Sequence, residues 1–257
     1  VTPTERQRGG KPERTALLVG VGALLLALAL LVLDFFGPSK EKWENFLEDH
    51  YGDVAFVLLG VAGTVLIIDR LNATRAHGSL VSSLIRDMAG ADHGLALRAA
   101  RELHAAGEVT NGRLDGVDLS GGALSGVDLR RCRAETARLI GTDLAGADLS
   151  AAVLARSDLS HAILKGANLE GSDLRECCLS EADLSQIDAA DACLEGADLS
   201  GARCIGADLR RVNLSQAILR GCDLTDVHWE GAVFAAVSID EETVADPELL
   251  ARLRGER

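Results

Sequence analysis

Residues 142–169 read TDLAGADLSAAVLARSDLSHAILKGANL, and their spacing decides the fold. Leu144, Leu149, Leu154, Leu159, Leu164 and Leu169 recur at every fifth position. Two places before each stands a small or β-branched residue: Thr142, Ala147, Ala152, Ser157, Ala162 and Ala167. A period of five matches neither the 3.6 of a helix nor the 2 of a strand, so no single regular element keeps these leucines on one face. The chain must turn within each five, sending the leucine and the small residue inward together. Stacked copies then bury a column of Leu against a column of Ala, Ser and Cys.

The register extends far beyond this stretch. Counting from Leu114 to Ile239, 26 centres follow one another without insertion, and 20 of them are Leu. The exceptions are Ala134, Ala189, Cys204, Trp229, Phe234 and Ile239. Asp or Asn often separates the small residue from the centre, and Gly often stands two places after it, as at Gly146, Gly166 and Gly196.

At these residues the sequence resembles the pentapeptide-repeat family, whose pattern is Ala-(Asp/Asn)-Leu-x-x. The resemblance covers 112–239 and implies a mainly β fold, a right-handed quadrilateral β-helix with four repeats per coil. At a spacing of about 4.8 Å per coil, the rod it implies is some 30 Å long. Arg133, Arg138 and Arg203 depart from the pattern before their centres. With four repeats per coil, residues twenty apart stack. Asp128, Asp148, Asn168, Asp188, Asp208 and His228 then form one ladder, the candidate interaction site. Two readings of it stay open: Asp and Asn bonding local backbone at each turn, or a negative stripe that attracts a basic partner.

Outward from the repeats, the N-terminal third has a different character. Residues 1–15 are polar and include Arg6, Arg8, Lys11 and Arg14, which reads as a disordered basic tail. Ala16 to Leu33 is an uncharged, nearly wholly apolar run, long enough as a helix to span about 27 Å. A second run, Val54 to Ile68, lies between Asp53 and Asp69. Together they predict a transmembrane helical hairpin over 16–69, with spans near 16–36 and 52–69. The loop between them carries Trp43, Phe46 and Tyr51, residue types that suit a membrane interface. Basic residues before the first span and after the second place both termini and the repeats on the cytoplasmic side of a cell membrane. The bilayer is thus an expected partner.

Residues 70–111 read as connecting and capping helices. Leu80, Val81, Leu84 and Ile85 keep helical spacing, Gly90 interrupts, and Asp92 is placed to cap a second helix that uses Leu95, Ala99, Leu103 and Ala106. His93 and His104 are expected on its solvated face. Residues 240–257 form a C-terminal cap in which Leu249, Leu250 and Leu253 either pack on the last coil or join two copies as a homodimer.

Composition narrows the function. Net charge is −13, and 112–239 alone carries 12 Lys/Arg against 20 Asp/Glu, which argues against direct nucleic-acid binding. Aromatics make up 3% of the chain, too few for an ordinary globular core but normal for a repetitive scaffold. Cys132, Cys177 and Cys222 fall at small inward positions, where a thiol acts as a small hydrophobe. No nucleophile–base constellation, phosphate loop or metal-ligand spacing occurs, so neither an enzyme nor a cofactor is expected. The reading that follows is a non-catalytic, membrane-anchored scaffold for an unknown protein partner. The alternative is a DNA mimic that binds DNA topoisomerase (gyrase), as the family resemblance allows.

Overall fold

The computed structural model describes the backbone from Lys40 to Gly255 and the side chains from Gly60 to Gly255. The basic tail and the first expected span lie outside the described residues. The chain divides into two units, Val1–Ala73 and Thr74–Arg257.

Helix α1 runs from Lys40 to Met88, 49 residues without a break. This corrects the expected interfacial loop over 37–53, which is helical from Lys40 onward. Lys40 to Tyr51 contains neither Gly nor Pro and holds two Lys, three Glu and Leu47, all good helix formers. Nor does the chain break at 69–70, where span was expected to give way to connector. Among the described residues no helix is long and apolar enough to cross a membrane. Leu66, Ile67 and Leu71 of α1 are nonetheless 70%, 62% and 51% exposed.

In the second unit α1 ends by burying Val81 and Met88. Helix α2, His93–Ala105, starts where Asp92 accepts a hydrogen bond from the Leu95 amide at 3.0 Å. Its buried face is Ala96, Ala99, Ala100 and Leu103, while Leu95 is 51% exposed. The face is rotated from the expected one because a helix lying flush on a coil end admits alanine rather than leucine at closest approach. Gly107, at φ 71°, ends it, with the Glu108 amide bonded back to the Leu103 carbonyl at 2.9 Å.

The repeats then stack with one rule. From Asp118↔Arg138 to Ile218↔Ser238, every isolated bridge joins residues twenty apart, in parallel. Four pentapeptides therefore make one coil. Each face pairs through a single residue rather than a run, so among the described residues the only strands are β1 (Asp223–Leu224) and β2 (Val244–Ala245). Around Leu149 the bonding is typical. Its amide donates to the Asn168 carbonyl at 2.7 Å, the Asp148 amide donates to Val127 at 2.9 Å, and the Ala152 amide closes the turn onto Leu149 at 3.0 Å.

The corner two places after each centre is left-handed at every repeat from Gly116 to Ala236, and thirteen of these corners are not glycine. Each such residue costs about 1 kcal/mol relative to a right-handed conformation. The ladder bonds and the two inward columns on either side hold them there. Leu159 and Ala147 are fully buried, as are most centres and small residues. Cys132 and Cys177 lie in this interior, where burial pushes their thiols up to about 12 and about 11.

Both ends of the coil are covered in part. At the N-terminal end the Ala123 amide donates to the Gly90 carbonyl at 3.2 Å and the Arg133 amide to Val109 at 2.8 Å. Glu108 is buried beneath this cap and takes His77 at 2.8 Å and Asn111 at 2.9 Å. Those hydrogen bonds, Asn111 first, hold its carboxyl below the usual range. At the C-terminal end β1 pairs with β2 in the register Asp223↔Val244, one residue longer than the coil period. Thr243 absorbs the extra residue, donating its hydroxyl to the Leu219 carbonyl at 2.9 Å. Helix α3, Pro247–Leu253, follows and buries Leu249 and Leu253 in the chain's own core. Those two leucines are thereby removed from the surface on which a homodimer would need them.

Candidate interaction face

The six residues of the expected ladder do stack: Asp128, Asp148, Asn168, Asp188, Asp208 and His228 are linked bridge to bridge along one side of the coil. Their carboxylates and amide are turned to a local task. Oδ1 of Asp148, Asn168, Asp188 and Asp208 each accepts the backbone amide two residues on, at 3.0–3.1 Å. This is an Asx turn repeated once per coil, and it stabilises the outward bend before each left-handed corner.

Arginines then break up the negative stripe. Arg130 grips Asp128 with two parallel bonds at 2.9 and 2.8 Å and lies 3.5 Å from Asp148. Arg210 clamps Asp208 in the same way, with Nε at 2.8 Å from Oδ1. Hydrogen bonds from these guanidiniums hold Asp128 and Asp208 below the ordinary carboxylate range. Asp173 and Arg175 repeat the device on a neighbouring side. An Arg two places after an Asp extends outward beside it, because both project from the same face of an extended segment. The clamp was therefore open to view in the sequence, at Asp128/Arg130, Asp173/Arg175 and Asp208/Arg210.

The same side carries two clefts, of about 740 and 600 Å³. The larger lies along the corner column Arg131, Ala151, Gly171, Asp191, between His104 of α2 and Glu170. It exists because the column shrinks to Ala and Gly at its middle. His104 is not on a freely solvated face as expected: its side chain is 36% exposed, and Nδ1 is shielded from solvent, 4.0 Å from Asp128. His93 is exposed, with Nδ1 3.2 Å from the Ala123 carbonyl. Among the described residues no cluster of three or more His, Cys, Asp or Glu side chains is placed to hold a metal ion.

The other sides are mixed. Arg133 pairs with Asp115 at 3.0 Å and Glu135 at 3.3 Å, and Arg138 with Asp118 at 3.2 Å. The Arg residues that break the repeat pattern are thus neutralised one coil down or on their own coil, where their stems also cover the ladder.

A family model covers the same stretch of chain. The family model described as pentapeptide repeats matches residues 113–150, 137–175, 152–188, 177–216 and 190–226. A solved pentapeptide repeat protein from the cyanobacterium Cyanothece 51142 is 27% identical, with 52% of this chain and 87% of that one covered and a TM-score of 0.34. One from the Arabidopsis thaliana thylakoid lumen is 29% identical over 44% of this chain and 77% of that one, TM-score 0.33. A third, the plasmid-mediated fluoroquinolone resistance protein QnrB1, is 19% identical over 56% and 90%, TM-score 0.29. No curated protein matches the chain. Residues 113–226 are thus similar to the pentapeptide-repeat family, the family model and the twenty-residue bridge register coinciding there.

Proposed function

We propose that the chain is a non-catalytic scaffold that presents its pentapeptide-repeat coil to a protein partner. The observation that carries this reading is the ladder itself. Outward side chains are repeated at fixed spacing on a stiff core, and the Asp residues at 128, 173 and 208 are paired locally with Arg130, Arg175 and Arg210. A surface of this kind orders a partner and does little else.

The reading includes anchorage in a membrane through the apolar segments near 16–36 and 52–69, with the repeats and both termini in the cytoplasm. It is supported by the 18-residue apolar run from Ala16 to Leu33 and by the exposure of Leu66, Ile67 and Leu71 on α1. An anchor restricts the coil to the membrane surface and raises the effective concentration of partners held there.

The topoisomerase-mimic alternative requires a continuous run of uncompensated negative charge like that of a duplex. Arg130 and Arg210 interrupt it on the one ladder rich enough in Asp to supply it.

The test is crosslinking from a cytoplasmic tag on the full chain in native membranes, with mass spectrometry of what is captured. A reproducible membrane or signalling protein, lost when the chain is displaced from the membrane, supports the scaffold. Capture of topoisomerase by salt-dependent binding replaces it with the mimic. Recovery of the chain in the soluble fraction without its partner overturns the anchor.

A further inference from the structure

Asn111 and Gly112 lie in the loop between α2 and the first repeat, and Asn followed by Gly occurs nowhere else in the chain. Asn111 is exposed, yet its side-chain amide is held at both ends. Nδ2 donates to Oε2 of the buried Glu108 at 2.9 Å, and Oδ1 accepts the Arg113 amide at 3.2 Å. Oε1 of Glu108 is taken by His77 at 2.8 Å. The amide carbon of Asn111 therefore has a backbone donor on its oxygen and a carboxylate on its nitrogen. The first suits the negative charge that develops on oxygen when the carbon is attacked. The second suits the positive charge that develops on a departing nitrogen.

The group placed to attack is the next backbone nitrogen. Among the described residues the Gly112 amide donates to no acceptor. Gly112 stands at φ 81°, and a Cβ there would meet Oδ2 of Asp115 at 2.7 Å, so glycine is required and no side chain screens the nitrogen. The asparagines of the coil show the contrast. Asn168 and Asn213 accept the amide two residues on in the same way, each at 3.0 Å. In both, however, the following nitrogen is engaged: the Leu169 amide donates to Asp188 at 2.6 Å and the Leu214 amide to Val233 at 2.9 Å. Attack there must break a ladder bond and pass a leucine side chain.

We propose that Asn111–Gly112 is a self-modifying site, which converts to aspartate or isoaspartate within the folded chain and thereby releases the N-terminal cap. The Gly112 nitrogen bonds to Cγ of Asn111, and the Cγ–Nδ2 bond breaks. The proton lost by Gly112 passes through solvent to the departing nitrogen, which leaves as ammonia beside the Glu108 carboxylate. Water then opens the cyclic imide at one of its two carbonyls. The reaction is intramolecular and consumes water alone. Its product exchanges the donor on Glu108 for a second carboxylate. Glu108 is 8% exposed, so the two like charges repel with little solvent between them. The neighbouring turn, where the Val109 carbonyl holds the Arg133 amide at 2.8 Å, is then pushed off the first coil. This inference does not depend on the scaffold reading.

The experiment incubates the purified full chain at neutral pH and follows the tryptic peptide Glu102–Arg113 by mass spectrometry, beside the same peptide free in solution. Asn111 in the folded chain should convert about tenfold faster than in the free peptide, with Asn168 and Asn213 intact. Glu108→Gln should slow the folded chain about tenfold, since the departing nitrogen loses its charged partner. A folded-chain rate at or below that of the free peptide overturns the site, and this comparison decides the matter even where the variant does not fold. An unchanged rate in a folded Glu108→Gln chain overturns it as well. Asn111→Asp tests the consequence: exchange of the Arg133 amide should quicken while that of Leu149 stays slow. An Arg133 amide as protected as in the unaltered chain overturns the release of the cap.

Discussion

Gly122→Ala is the substitution whose cost follows most directly from the coordinates. Gly122 takes the small inward position of its repeat, two before Leu124, and its backbone has no need of glycine's conformational freedom. What requires glycine is space. A Cβ there would sit 2.8 Å from the Met88 carbonyl oxygen and 3.0 Å from that of Leu119, both backbone atoms. Neither can rotate away, so the end of α1 must lift. That breaks the 3.2 Å bond from the Ala123 amide to Gly90 and loosens the contact of His93 with the Ala123 carbonyl. Overpacking of this kind and one unsatisfied backbone group sum to about 3 kcal/mol.

Gly141→Ala is the contrasting case. Gly141 is left-handed at φ 61° and nothing lies within 4 Å of its added Cβ. Left-handed strain costs about 1–2 kcal/mol, partly offset by the lower unfolded-state entropy of alanine, for a net loss near 1 kcal/mol. Urea unfolding of the two full-length variants measures the difference, and amide exchange at Ala123 and Arg133 locates it. Gly122→Ala should expose both amides selectively, and Gly141→Ala should expose neither. Equal stabilities, or an Ala123 amide that stays protected in Gly122→Ala, would refute the docking of α1 on the first coil.

Three further outcomes are expected. Asp128, Asp173 and Asp208 have depressed folded-state pKa values through their arginine bonds, so the stability they confer is present above the unfolded value near 4 and is lost as pH falls through the folded values. Replacing Arg130, Arg175 and Arg210 with Gln should flatten the fall in stability below about pH 4, measured by denaturant midpoints across a pH series. In the folded chain at pH 8, Cys178 and Cys193, which are half-buried, should be alkylated well before the buried Cys132, Cys177, Cys204 and Cys222, as read by mass spectrometry. Leu249→Ala should cost about 2–5 kcal/mol because its side chain is 1% exposed in the core, while Leu250→Ala should cost under about 1 kcal/mol.

The coil was legible before any coordinate because it depends on one local rule repeated. A leucine every five residues with a small residue two before it leaves the chain a single way to bury both, and each repeat meets only its neighbours. Stacking twenty apart and the Asx turns follow from that rule and from the family resemblance. So do the cap at Asp92 and the stop at Gly107, since their chemistry lies within a few residues.

What the sequence did not disclose depends on contacts between distant parts or on cooperativity. Residues 37–53 looked like a loop because aromatics sit there, yet helix propagation carries α1 from Lys40 through Met88 past four glycines. The orientation of α2 was decided by the flat coil end, which prefers the Ala96–Ala100 face over Leu95. Whether Leu249 and Leu253 face the chain or a second copy is a question of reach, and β2 settles it by holding α3 against the last coil. The charges divide the same way. Sequence counting finds an acidic rod, but whether a carboxylate is free or clamped turns on a guanidinium within 3 Å. Only the folded backbone, which stacks residues twenty apart, brings Arg211 within 2.6 Å of Asp191.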